Sequence, residues 1–251
     1  MIQPRISSVI ERRLLVNYRV EPAVVEPLIP APLRPRQVNG WAVAGICLIR
    51  LAQVRPTGLP SAVGVHSENA AHRIAVEWAG PDGIETGVYI PRRDSGSALN
   101  VWLGGRLFPG VHYLADFDVR EDSDDLQVSY TSRDLDVHVS VEGQVADRFE
   151  GSALFPDLAT ASDFFRCGAT GFSDGRDPAC LDGLELSTDR WRIEPVRTRA
   201  ARSSYFDDPN RFPPGSAALD CTLLMRNITA TWAPVTPMRV GEQSAPAGGR
   251  G

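Results

Sequence analysis

At 251 residues, with 43% hydrophobic and 23% charged residues, the chain has the composition of an ordinary globular protein able to bury a substantial core. A net charge of −5, no basic block and few aromatics beside arginine argue against nucleic-acid binding. No apolar run reaches the ~20 residues of a membrane helix, and no basic-then-apolar leader opens the sequence.

In chain order, residues 9–18 carry the first strand pattern. Prolines at 22 and 27 limit residues 21–29 to a short helix, and 30–35 is a proline-stiffened link. A long apolar strand over 41–54 precedes a turn-rich loop, and a third strand over 72–78 ends at a Gly-Pro-Asp-Gly hairpin turn. Residues 86–91 form a strand that Pro91 closes. Ser95 or Ser97 then caps a short helix bearing Ala98, Leu99, Val101, Trp102 and Leu103, apolar nearly all round and so expected to be buried. Gly104-Gly105 ends it, Phe108-Pro109-Gly110 turns the chain, and 111–119 is the next strand. An acidic turn over 121–125 leads to a strand over 126–131.

Strict alternation marks 135–145 as a half-buried antiparallel strand. Asp157 caps a helix through Arg166, 172–182 reads as loop, and 191–199 and 218–232 supply the last strands, with 219–226 also compatible with helix. The Pro/Gly/Ala/Ser composition at the end predicts one domain over 1–236 and a disordered tail over 237–251. Many strands, few helices and no repeat give a mainly β (α+β) domain. Cys47, Cys167, Cys180 and Cys221 lie far apart, as expected of reduced, mostly buried thiols in a cytoplasmic protein. The arginine-only cation set fits a GC-rich bacterial genome.

The motifs His66-Ser67-Glu68, Arg73-Ile74-Ala75-Val76-Glu77, Gly87-Val88-Tyr89, Gly105-Arg106 and Phe108-Pro109-Gly110-Val111 together resemble the acetoacetate decarboxylase-like superfamily. The resemblance covers roughly residues 10–120 and, more loosely, the chain to about 232. It best fits an uncharacterised branch, a domain of unknown function. It implies a cone-shaped, partly closed antiparallel β-barrel with a few short helices and a ligand cavity inside. The departure is chemical. Where the decarboxylases carry a Schiff-base lysine after Phe-Pro, whose pKa is lowered by a second cation, this chain has Gly110 and Val111. All 26 of its cationic residues are arginine. Arginine stays protonated and is a poor nucleophile, so a side-chain Schiff base is excluded by composition.

By this resemblance Glu68 holds the place of a cavity-lining glutamate; beside Val63, Val65 and Ala70, desolvation would suit it to general acid–base work. His66 and His112 are the candidate proton-transfer partners, and Arg106, Tyr89, Gly110 and His72 the candidate substrate-binding positions. Each has a plain structural alternative: Arg106 as a helix C-cap, Tyr89 as a core donor, the histidines as hydrogen-bonding residues. Arg92-Arg93-Asp94 reads as a surface turn or ion pair. The pairs His66/His72 and His112/His138 lack H-x-x-x-H or H-x-H spacing, and neither metal nor cofactor is expected. The pocket is expected between His66–Glu68 and the 108–112 turn, with room at Gly110 where a lysine stem is missing. The resulting expectation is an acid–base enzyme of lyase, isomerase or cyclase type acting on a small oxo- or carbonyl-bearing molecule. The alternative is a non-catalytic small-molecule-binding protein on the same fold. Neither nucleic acid nor a membrane is an expected partner, and a homo-oligomer is compatible with the sequence.

Overall fold

The computed structural model describes residues 4–104, 109–175 and 177–241. Thirteen strands are present among them: β1 (Ile6–Val20), β2 (Arg34–Pro35), β3 (Gln37–Val38), β4 (Trp41–Pro56), β5 (Val65–Gly80), β6 (Gly83–Ser95), β7 (His112–Asp122), β8 (Asp125–Ser132), β9 (His138–Val145), β10 (Thr170–Asp174), β11 (Cys180–Thr188), β12 (Glu194–Ser203) and β13 (Ala217–Arg239). Helices α1 (Pro22–Val25), α2 (Ala98–Leu103) and α3 (Leu158–Cys167) are short.

The strands belong to one sheet that closes into a ring of strands, because β11 pairs with β13 and β5 with β6. Two long strands share an edge between partners. The edge of β13 away from β1 is divided between β12, at residues 222–224, and β11, at residues 230–239. The edge of β6 away from β5 is divided between β10, at Val88 and Tyr89, and β7, at residues 93–95. Both of these β6 pairings are parallel. A parallel neighbour needs a crossover, and α2 is the crossover from β6 to β7.

Strands β1, β4, β5 and β13 are covered on both faces, which explains their near-continuous apolar runs. One face, with Leu14, Val16, Ile46, Leu48, Ile74 and Val76, packs the main core inside the ring. The other, with Leu15, Cys47, Ala75 and Leu223, packs beneath α3, whose Phe164 and Phe165 fill that second core. Asp157 caps α3 by accepting from the Thr160 N–H at 2.7 Å.

Several boundaries move, for physical reasons. Strand β5 begins at Val65, so His66–Glu68 lie in a strand rather than in the loop before it. Strand β6 runs through Pro91 to Ser95. His72 pairs with Arg92 and Ile74 with Tyr89, so Ile90 and Pro91 together face Arg73 in a bulge. Pro91 also falls between the stretches paired with β10 and β7, where its missing N–H breaks no ladder. Residues 92–94 are therefore strand and largely buried, not a surface turn. The stretch 172–182 contributes most of β10 and the start of β11, and 219–226 is strand within β13. Helix α2 is capped by Ser97 as expected, but it lies on the outside: Leu99 and Trp102 are 48% and 61% exposed, and Asn100 is the buried member.

Strand β13 continues to Arg239, so residues 237–239, read from sequence as tail, belong to the sheet. Met238 pairs with Leu181 and packs against the main core. Ending the chain after Thr236 is expected to cost about 1–2 kcal/mol and roughly 5 °C of melting temperature. An unchanged thermal transition would place the edge of the domain before residue 237.

Candidate functional site

Period-two alternation and the β6 bulge decide which side chains meet. On β5, Ala70, Ile74 and Val76 face the main core, so Glu68 and His72 share that side while Asn69, Ala71 and Arg73 face outward. Before the bulge Tyr89 points inward; after it Arg92 does, opposite His72, and Arg93 points outward opposite Ala71. In the parallel register Arg93 is the neighbour of His112.

These outward residues wall a cavity of about 100 Å³ between the sheet and α2. Its polar positions are Asn69, Arg93, Asp94, Asn100 and His112; Ile49, Leu51, Val54 and Trp232 supply apolar wall. The carboxylate of Asp94 is engaged by Arg92, at 3.0 Å from Nη2. The guanidinium of Arg93 donates from Nε to Ser173 Oγ at 3.1 Å, and no carboxylate among the described residues pairs with it. Burial pushes its pKa down to about 10, so it stays charged near neutrality. Burial, and then the Arg93 charge, hold the His112 imidazole at about 3, so it is neutral. Its Nε2 lies 3.3 Å from the Pro109 carbonyl oxygen, which can only accept; this contact assigns the proton to Nε2 and the lone pair to Nδ1. Arg13 and Arg73 also have no carboxylate partner among the described residues, but they line no part of this cavity and lie over Trp191 and Phe165.

A polar cluster fixes α2 over the cavity. Asn69 donates to the Ser67 carbonyl at 3.1 Å, and Ser95 donates to Asn69 Oδ1 at 2.7 Å. Asn100 Nδ2 reaches Ser67 Oγ, Asn69 Oδ1 and Ser95 Oγ at 3.0, 3.2 and 3.3 Å. These polar positions are scattered through the sequence, so no spacing signals them.

The expected site residues divide. His112 lines the cavity, but Glu68 does not join it: it is on the inner face, taken by Arg12 and Arg50. Arg12 and Arg50 also reach Glu121, making a charge-balanced quartet with Arg12 almost wholly buried. His66 is exposed. His72 is fully buried inside the ring against Tyr205, with ring centroids 4.2 Å apart, and neither ring nitrogen has a partner. Tyr89 donates to Asp174 at 3.0 Å, and burial followed by that carboxylate raises its pKa. Gly110 borders Arg93 and Ser173 but leaves no room. Its φ is +78°, a left-handed conformation that favours glycine, and an added Cβ would lie 2.8 Å from Ser173 Cβ. Arg106 lies outside the described residues.

The ring-closed sheet with its parallel crossover is the acetoacetate decarboxylase-like fold. An acetoacetate decarboxylase-like enzyme from Sphingomonas wittichii RW1 superposes with a TM-score of 0.59 at 12% identity, over 96% of this chain and 94% of that one. Acetoacetate decarboxylase from Legionella pneumophila gives 0.57 at 12% identity, over 93% and 88%. The enduracididine biosynthesis enzyme MppR, complexed with pyruvate, gives 0.60 at 12% identity, over 98% and 93%. Within that fold the chain belongs to the DUF2071 family, described as an uncharacterized conserved protein, whose model matches residues 9–215. Among curated proteins none matches the chain.

Glu68→Gln keeps shape but leaves Arg12 and Arg50 to share Glu121; a loss of about 2 kcal/mol in urea denaturation is expected, and a neutral result would remove the quartet from the stabilising interactions. His72 gives a pH signature. Burial, with Arg92 and Arg211 adding to it, lowers its pKa from 6.5 to about 3. The unfolded chain therefore binds the extra proton between those values, and stability falls as pH drops through that window. His72→Phe should narrow the stability gap between pH 7 and pH 4.5 by about 2 kcal/mol. An unchanged gap would show that His72 is protonated in the fold or hydrated.

Proposed function

We propose that the protein is a small-molecule enzyme that moves protons next to a carbonyl, with its substrate held in the cavity beneath α2. The observation that carries this reading is the pairing, in one mostly apolar cavity, of a charged guanidinium that has no carboxylate partner among the described residues with a neutral imidazole. Arg93 binds and orients a substrate carboxylate. His112 accepts a proton from the carbon beside the carbonyl, and the C–H electron pair moves toward the carbonyl oxygen as an enolate. Returning the proton to that carbon or another gives an isomerase outcome; expulsion of a neighbouring group gives a lyase outcome. None of these steps needs a lysine. A bound carboxylate also offsets the Arg93 charge, the second cause after burial of the lowered His112 pKa, so the imidazole becomes a stronger base when the right substrate is present.

The similarity in fold to MppR, whose structures hold pyruvate or a condensation product of pyruvate and imidazole 4-carboxaldehyde, supports a carbonyl-bearing substrate class. No helix among the described residues is long and apolar enough to cross a membrane. The four free cysteines are consistent with a reducing compartment such as the cytoplasm.

Hydrogen–deuterium exchange at C3 of 2-oxobutyrate in heavy water, followed by proton NMR, tests the reading. Exchange above buffer is expected from the wild-type protein, falling ~100-fold or more in His112→Gln. Binding of short oxo acids without any catalysed exchange would make the protein a binding module on this fold.

A further inference from the structure

A second charged feature lies at the surface where the chain enters β12 beside β13. Residues 190–193 alternate as they approach the strand. Ile193 is buried in the second core, and Trp191 packs against that core with its indole N–H donating to Ser162 Oγ at 3.0 Å. Arg190 and Arg192 are the exposed members. Glu194 pairs opposite Leu224, so the same register carried back two residues sets Arg192 opposite Arg226. Arg190, Arg192, Glu194, Arg226, Asn227 and Ile228 line a cleft of about 260 Å³ there. Glu194 is its one carboxylate. It accepts from Nε and Nη2 of Arg226, both at 3.2 Å, and Arg226 Nη1 donates to the Ser123 carbonyl at 2.9 Å. Arg192 comes only to 3.8 Å from Glu194. Arg190 has no carboxylate partner among the described residues; its Nη2 donates to the Asn227 carbonyl at 3.2 Å. Three guanidiniums thus share one carboxylate, in a chain whose net charge is −5.

We propose that this cleft binds the phosphate group of a small phosphate monoester. Glu194 holds Arg226 in place as the fixed member of the set. Arg190 and Arg192 keep N–H donors unused and reach the phosphate oxygens, where a planar guanidinium can give two parallel hydrogen bonds to one group. The excess of positive charge in the cleft suits a doubly charged phosphate better than a carboxylate with a single charge. A lone exposed arginine would gain little from an anion; the convergence of three on one cleft is what makes a site. Its volume exceeds the ~150 Å³ of a cavity that accepts benzene, so a phosphate with a short carbon stem fits. The assignment is independent of the reaction proposed for the cavity beneath α2, with which the cleft shares no lining residue.

The test is calorimetric titration of the wild-type protein with glycerol 3-phosphate, inorganic phosphate and acetate, at about 0.15 M salt, where exposed charges more than ~8 Å apart are screened. Both phosphates are expected to bind ~10-fold or more tighter than acetate. Replacing Arg190 and Arg192 together, Arg190→Gln with Arg192→Gln, should weaken both phosphates by ~10-fold or more. Both side chains are exposed, so the thermal transition should stay in place. Arg93→Met should leave phosphate binding unchanged. The comparison among ligands needs no variant, so it stays readable whatever the substitutions do to folding. Equal affinity for the phosphates and acetate would overturn the proposal. So would phosphate binding that survives the double substitution, or that is lost in Arg93→Met. A protein that ignores both soluble phosphates yet sediments with vesicles containing phosphatidic acid would place the phosphate on a membrane surface and overturn its assignment to a small ligand.

Discussion

The geometry of the site depends on the bulge at Ile90 and Pro91. Without it β6 would keep the alternation set by Tyr89, and Arg93 would point into the ring with Arg92 turned outward. With it, Arg92 enters the ring to meet Asp94, Asp134 and Asp136, and Arg93 emerges beneath the crossover helix with no carboxylate partner among the described residues. The same proline divides the outer edge of β6 between two parallel partners. The second of them, β7, requires the crossover that α2 supplies, and the cavity is the space under that crossover. One extra residue in a strand thus separates a guanidinium held by carboxylates from one that has none among the described residues.

The two faces of β5 hold different chemistry. The inner face carries Glu68 in a closed set of ion pairs and His72 among aromatic rings, where its positions are already occupied or walled in. The outer face carries Asn69, whose hydrogen-bond partners are neutral polar groups. Ionised groups that satisfy one another stabilise a fold and rarely do more. The outer face instead brings Arg93, which has no carboxylate partner among the described residues, to the wall of the cavity beneath α2.

Much of the fold was legible in the sequence. The alternation over 138–145, the Gly-Pro-Asp-Gly turn and the caps Ser97 and Asp157 mark local structure because each acts through near neighbours, whereas residues 135–137, expected in the same strand, lie in the turn before it with Leu135 exposed. The motif resemblance led to the right fold across a pairwise identity of about 12% to the solved structures that share it. Pro91 misled because a proline closes a strand only where a partner strand needs the N–H it lacks, and here its nitrogen faces a gap between two partners. The run in α2 read as buried because five apolar residues dominate it, whereas its one amide is the residue held inside. His112 was recognisable as the residue after the altered turn; Arg93, Asn69 and Asn100 were not, since only the parallel register and the crossover bring them together. Glu68 was placed by family position, and its commitment to Arg12 and Arg50 appears only in cross-strand register.

The central claim is that ligand binds on the outer face, at Arg93, and not inside the ring. A crystal structure with saturating 2-oxobutyrate tests it most directly. The account predicts carboxylate density within hydrogen-bonding distance of the Arg93 guanidinium, between β5 and α2. Density inside the ring, against Arg12 and Glu68 with the cavity beneath α2 unchanged, would contradict it.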